Sequence, residues 1–146
     1  MELYKHQLSR IEDDLGFGET DEVQLLRWGR KLFGKAFRGV FASDVAPRLT
    51  VRQPYAIVNT DKKGDPGTHW VALARYKSPN VVFVYDSFGR PTKNLIPWVT
   101  KGPLQDQVVD AEYDAEQKDH EANCGQRCLA WLYVFDDLGP DIALRI

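Results

Sequence analysis

Two runs in the middle of this chain, HWVALARY from His69 and NVVFVYDSFG from Asn80, limit what the rest can be. Both are rich in β-branched and aromatic residues, and Ser78-Pro79-Asn80 between them signals a hairpin. Neither run alternates polar with apolar. Val71 to Ala74 and Val81 to Tyr85 are apolar on both faces. Strands of that kind sit in the middle of a sheet that is covered on both sides. The chain must therefore supply more strands and a covering layer. With 43% hydrophobic residues over 146 positions it can do so as one domain, residues 1–146.

The flanking segments read as follows. Glu2 to Asp14 predicts a short helix ending near Gly16. Thr20 is the expected N-cap of an amphipathic helix carrying Leu25, Leu26, Trp28, Leu32 and Phe33 and ending near Gly34. FRGVFASDVAPRL reads as loop, punctuated by Gly39 and Pro47, and YAIVN as a strand. DKKGDPG is a turn-rich loop, LIPWV is ambiguous, and QVVDAEY predicts a short strand. A helix is expected over 124–135.

The hairpin brings two polar residues together. If it turns around Lys77 to Asn80, cross-strand partners have numbers summing to about 155–157. His69 then faces Asp86 or lies diagonally from it, and both emerge on one face at the open strand ends. A carboxylate placed there fixes the imidazole tautomer and stabilises its protonated form. Taken singly, His69 reads as a satisfied strand-end histidine and Asp86 as the opening of a turn.

Both cysteines lie in NCGQRCLAWLYVF. Asn123 is the expected N-cap, which puts Cys124 in the first helical turn, where unpaired N–H groups favour a thiolate. Gly125 costs about 1 kcal/mol against Ala in a helix and suggests that something approaches the backbone beside Cys124. Cys128, Leu129, Trp131, Leu132, Val134 and Phe135 make the helix apolar over a wide stripe. Cys124 reads as a nucleophile or, equally on composition, as a buried thiol. Cys128 reads as core. A zinc site from His120, Cys124 and Cys128, with His69, is disfavoured because Cys128 sits inside the apolar stripe, so no metal is expected.

Charge narrows the partners. The net charge of −2 gives no global attraction for nucleic acid. The local stretch Arg27, Arg30, Lys31, Lys35 and Arg38 is a solvated helix face or a DNA contact. MELYKHQLSRIEDDLG lacks an apolar signal segment, and no run is long enough to span a bilayer, so a soluble, non-secreted protein with free thiols is expected.

Several segments resemble, in order, the adenovirus-type cysteine endopeptidases (adenains), in the wider clan of ubiquitin-like-protein-specific proteases. AIVNTDKKGDPGTHWVALA is similar to the segment that carries the family's histidine, and VFVYDSFGRP to the strand ending in its acidic residue. Gln117, seven residues before Cys124-Gly125, matches the spacing of oxyanion glutamine and nucleophile. LSRIEDDLGFG and FRGVFASD are weaker matches. The resemblance implies an α+β cysteine-protease fold, with a central, mostly antiparallel sheet packed on the helix that starts at the nucleophile. It implies Cys124 as nucleophile, His69 as base and acid, Asp86 orienting His69, and Gln117 with the Cys124 N–H as oxyanion donors. Trp70 would narrow the cleft, with Gly125 beside it, so that glycine-rich sites enter best. The implied role is cleavage of viral structural precursors during virion maturation, in the virion and the infected cell.

Departures from the family bear on activation. The chain is shorter than adenain and has no spare thiol for a disulfide-linked activating peptide. No cofactor is required on this reading, and DNA or a peptide activator stays open. An aspartate stands where some relatives carry glutamate. Alternative readings are a ubiquitin-like-protein deconjugase, a catalytically inactive binding module of the same fold and, more distantly, an acyltransferase using the same thiol.

Overall fold

The computed structural model describes residues 2–45, 47–60, 69–76, 81–89, 107–111 and 121–146. The elements are α1 (Glu2–Leu15), α2 (Glu22–Phe33), a 3-10 turn (Gly34–Ala36), β1 (Phe37–Ala42), β2 (Tyr55–Asn59), β3 (Trp70–Tyr76), β4 (Val81–Tyr85), β5 (Gln107–Asp110), α3 (Cys124–Leu138) and the short α4 (Pro140–Ala143). The segments DKKGDPG and LIPWV, the hairpin turn, His120 and Gln117 lie outside the described residues.

The five strands form one sheet in the order β1-β2-β3-β4-β5. The expected hairpin is there: Ala72 pairs with Tyr85 and Tyr76 with Val81, at the upper end of the expected register range. β2 to β4 are antiparallel neighbours, but β1 runs parallel to β2, and β5 parallel to β4. The sheet is thus mixed rather than mostly antiparallel. The chain between each parallel pair is long enough to return to the starting end, as a parallel pairing demands.

β1 overturns the loop reading of FRGVFASDVAPRL. Its pairing slips between Phe37 and Gly39, so the apolar period is broken at a bulge and no clean alternation shows in the sequence. Its hydrogen-bond partners come from β2, which a local reading does not see.

Each face of the sheet has its own apolar cluster. Ala56, Val58, Val71, Leu73, Val82 and Val84 point one way, with Leu49, Phe41 and Val108. Ile57, Ala72, Ala74, Phe83 and Tyr85 point the other way, toward α3. Of the sheet strands, α3 lies chiefly against β3, whose small Ala72 and Ala74 leave room for helix backbone to approach. It is buried nearly all round, which suits a helix hydrophobic on most of its circumference. Trp131 is wholly buried and stacks on Tyr85, with centroids 5.2 Å apart and planes at 9°. Such a pair contributes about 0.5–1.5 kcal/mol beyond its area. Phe135 meets Tyr55 and Phe83, and the Tyr55 hydroxyl donates to Asp136 Oδ1 at 2.7 Å. Burial, then that bond and the carboxylate charge, push the Tyr55 pKa up, so the phenol stays neutral. α1 also packs against α3, and its Tyr4 hydroxyl lies 3.2 Å from that of Tyr85.

α2 is capped by Asp21, not by Thr20. Asp21 Oδ1 accepts the Gln24 N–H at 2.8 Å and Gln24 Oε1 accepts the Asp21 N–H at 3.0 Å, a reciprocal capping box. Thr20 is buried, and its carbonyl serves Trp70 instead.

Gly29, inside α2, faces the Phe37 ring, where an added Cβ would lie 2.3 Å from a ring carbon. On an exposed helix Gly→Ala stabilises by about 1 kcal/mol. Here the sign reverses: Gly29→Ala should lower the unfolding free energy by about 1–3 kcal/mol, as overpacking does. Denaturant unfolding of the two proteins checks this, and a variant as stable as the parent would contradict the packing of α2 on β1.

Candidate active site

Four separate stretches converge at the open end of the β3–β4 hairpin. His69 stands just before β3 and Asp86 just after β4. The observed register puts them diagonally across from each other. Both are buried, at 4% and 2% exposure, and His69 Nε2 lies 2.5 Å from Asp86 Oδ1. Because a carboxylate only accepts, Nε2 carries the proton in this bond. The remaining nitrogen, Nδ1, is buried and without a hydrogen-bond partner. A buried imidazole nitrogen left open in this way is a cost unless something else uses it.

Asp86 is also the turn residue that the sequence suggests. Its Oδ1 accepts the Phe88 N–H at 3.0 Å and its carbonyl accepts the Gly89 N–H at 2.8 Å. The turn places the Phe88 ring over the His69 imidazole, with centroids 4.7 Å apart. His69 is pinned on the backbone side by Thr60, whose N–H donates to its carbonyl at 2.9 Å.

Cys124 opens α3 and retains 6% exposure, whereas Cys128, one turn deeper, has none. The Trp70 backbone N–H points at Cys124 Sγ from 3.4 Å. The thiol also acts on His69. Burial opposes charge on the ring. The hydrogen bond to Asp86, then the neighbouring Cys124 thiol and the charge of Asp86, outweigh it and hold the His69 pKa above its ordinary value. With Nε2 given to Asp86, Nδ1 is the nitrogen left to face the sulfur. The group can therefore pass a proton between sulfur and ring, with a carboxylate behind the ring and an amide donor on the sulfur.

The α1–α2 loop wires this arrangement together. Trp70 Nε1 donates to the Thr20 carbonyl at 3.0 Å. Gln126 Nε2 donates to the carbonyls of Gly16 and Gly18, each at 2.9 Å. Trp70 is half-buried against the main core. Gly125 has a tight neighbour of its own. A Cβ there would meet Thr20 Oγ1 at 2.2 Å and Leu25 Cδ2 at 2.9 Å, so close packing of the loop and α2 accounts for the glycine without a substrate.

Asn123 precedes α3 but makes no side-chain capping bond. Its amide is held by Glu12 Oε2 at 3.1 Å and by Arg127 Nε at 3.0 Å. A cleft of about 600 Å³ opens here, lined by Leu8, Glu12, Phe17, Asn123 and Arg127 among others. Sequence reading did not single out Glu12, Phe88, Gln126 or Arg127. Only the two glycines of LGFG hinted that the loop backbone is used closely. Gln117 lies outside the described residues, and among the described residues no cluster of three or more His, Cys, Asp or Glu could hold a metal.

Of the basic stretch, Arg27, Arg30, Lys31 and Lys35 are exposed, and Lys31 Nζ sits 4.4 Å from the Trp28 ring centroid. Arg38 is partly buried near the Phe41 ring. Among the described residues no helix is long and apolar enough to cross a membrane.

Residues 33–100 match the family model of the adenovirus endoprotease. That span holds His69, Trp70 and Asp86 and ends before Cys124. The chain is 27% identical over 93 residues to a protein named protease from Bovine adenovirus C serotype 10, covering 55% of this chain and 47% of that one. It is 26% identical over 116 residues to a protein named protease from Bovine adenovirus B serotype 3, covering 70% and 53% respectively. The chain spans about half the length of these relatives.

The raised His69 pKa sets a pH dependence. Unfolded, the ring titrates near its ordinary value of about 6.5. Folded, it holds its proton to higher pH. The stabilisation is therefore complete below about pH 6.5 and fades as pH climbs through the folded value. The unfolding free energy of the parent minus that of His69→Gln should be largest in mild acid and shrink toward alkaline pH. A difference that instead grows with pH would contradict the ring's surroundings as described.

Proposed function

We propose that this adenain-like chain is a cysteine endopeptidase of viral or virus-like origin. The observation that carries the reading is the His69 ring, held through Nε2 by Asp86 and left with an open, buried Nδ1 toward the thiol at the start of α3. The family-model match and the two adenovirus proteases support it.

In this mechanism His69 Nδ1 takes the Cys124 proton. The resulting thiolate, favoured by the Trp70 N–H and the first turn of α3, attacks the peptide carbonyl carbon. A carbon–sulfur bond forms and the carbonyl electrons move to oxygen. The Cys124 N–H, with the side-chain amide of Gln117, stabilises that oxyanion, and each such donor lowers the barrier by about 3 kcal/mol. The C–N bond then breaks as the imidazolium gives its proton to the leaving amine. Water, deprotonated by the same ring, hydrolyses the thioester and restores the thiol. Asp86 stabilises the imidazolium throughout and does not itself take the proton.

The substrates proposed are structural precursor proteins cut at glycine-rich sites during virion maturation, in the virion or the infected cell. A half-buried Trp70 beside the sulfur supports small residues next to the scissile bond. DNA is proposed as a modulator at the basic surface, where Arg30 and Lys35, with Arg52, line a cleft of about 460 Å³.

Cys124→Ala should abolish cleavage of a Gly-Gly peptide and labelling by a peptide aldehyde. Cys128→Ala should retain both while losing about 1 kcal/mol or more of stability, as a small core truncation does. Turnover assays paired with denaturant unfolding separate the two. Loss of turnover in the Cys128 variant only would reverse the assignment, and an unlabelled parent would point to an inactive module.

A further inference from the structure

The chain turns sharply from Asp86 to Gly89, and turn chemistry accounts for both ends. Asp86 opens the turn, its carbonyl accepts the Gly89 N–H at 2.8 Å, and Gly89 closes it at φ 71°, a conformation that glycine adopts without strain. Such a turn does not call for an aromatic residue at its third position, yet Phe88 stands there. Core packing does not account for it either. Among the described residues, neither apolar cluster of the sheet includes Phe88.

The Phe88 ring lies on the His69 imidazole, with centroids 4.7 Å apart and planes at 31°. Phe88 is only partly buried, whereas His69 keeps 4% exposure and Asp86 2%. The ring thus forms part of the cover over that pair. The same residue reaches Asp86 through its backbone, because the Phe88 N–H donates to Oδ1, the oxygen that also faces His69 Nε2. One residue therefore touches both partners, the carboxylate through its main chain and the imidazole through its side chain.

Three effects follow from a ring in this place. Water kept away lowers the local dielectric, which strengthens the bond between Nε2 and Oδ1. An aromatic face within about 6 Å of a cation attracts it, so the ring favours the imidazolium that proton transfer from sulfur creates. A flat group against one face of the imidazole also resists tipping of the ring, and tipping would carry both nitrogens off their partners at once.

We infer that Phe88 is a positioning residue whose ring shields the His69–Asp86 bond from water and holds the imidazole in line for proton transfer with Cys124. The proton-transfer half rests on the peptidase reading, and the shield does not.

The test uses the full chain with Phe88→Ala and Phe88→Tyr. Substitution here leaves the backbone N–H to Asp86 in place, so the ring alone is changed. Two quantities are read: exchange of the His69 Nε2 proton with water, followed by its downfield proton NMR signal, and kcat and KM on a Gly-Gly peptide. In Phe88→Ala the proton should exchange on the order of tenfold faster or more, as local access to water sets that rate. Its kcat should fall about tenfold at unchanged KM, as for a catalytic group slightly misplaced. Phe88→Tyr keeps the flat face and should keep both properties of the parent. If Phe88→Ala does not fold, Phe88→Leu is read in its place. Leu keeps apolar bulk without the flat face, and the same two changes are expected in smaller degree. Exchange as slow as in the parent, in whichever variant is read, overturns the inference. So does faster exchange with an unchanged kcat, or a Phe88→Tyr chain as slow as Phe88→Ala. A parent whose Nε2 proton exchanges too fast to be seen overturns the shield outright. A parent chain that cuts no peptide overturns the peptidase reading instead, while proton exchange still decides whether Phe88 covers the bond.

Discussion

The structure depends on one docking event: α3 laid against β3 with its N-terminus at the open end of the hairpin. A helix with Leu129, Ala130, Trp131, Leu132 and Val134 all buried cannot sit on a surface. It needs cover on almost every side, and β3 receives it through Ala72 and Ala74 while α1 packs against it as well. Once α3 is seated in this way, the position of Cys124 relative to His69 is no longer adjustable. Trp131 on Tyr85 and Phe135 among Tyr55 and Phe83 hold the far end, and Gln126 on the Gly16 and Gly18 carbonyls holds the near end.

That rigidity explains how a buried polar site is tolerated. His69, Asp86 and Cys124 are all nearly out of contact with water. Burial alone would strip the ring of its proton, yet the adjacent carboxylate and thiol more than compensate. Such compensation works only when the partners are held at hydrogen-bonding distance. Here the tight turn from Asp86 to Gly89, the Phe88 ring and the Thr60 bond to the His69 carbonyl hold them. The polar groups are few, and the apolar frame around them is what keeps them in register.

What was readable in advance follows physical range. The β3–β4 hairpin, β2 and the helix at Cys124 announce themselves because their apolar runs are local and strong. That His69 and Asp86 share one face follows from hairpin arithmetic alone, and the observed register makes the placement diagonal. β1 was not readable, since a bulge breaks its period and its partner is a parallel strand further along. The cap of α2 was misplaced by one residue because Thr20 and Asp21 are both good caps, and only the burial of Thr20 separates them. Gly125 signalled a close approach correctly, but the neighbour is Thr20, brought there by the α1–α2 loop.

By itself the sequence determined most of the strands and helices, that a histidine and an aspartate share one face of a hairpin, and that a thiol begins a helix with a wide apolar stripe. These are matters of period two and period three-and-a-half, settled between neighbours. Only the tertiary structure decided that the thiol comes beside the imidazole, that the outer strands run parallel, and that Asn123 turns to Glu12 and Arg127 instead of capping its helix. Those outcomes are contests between distant partners for the same donor, acceptor or space. Such contests are resolved by which groups the packed core brings within reach.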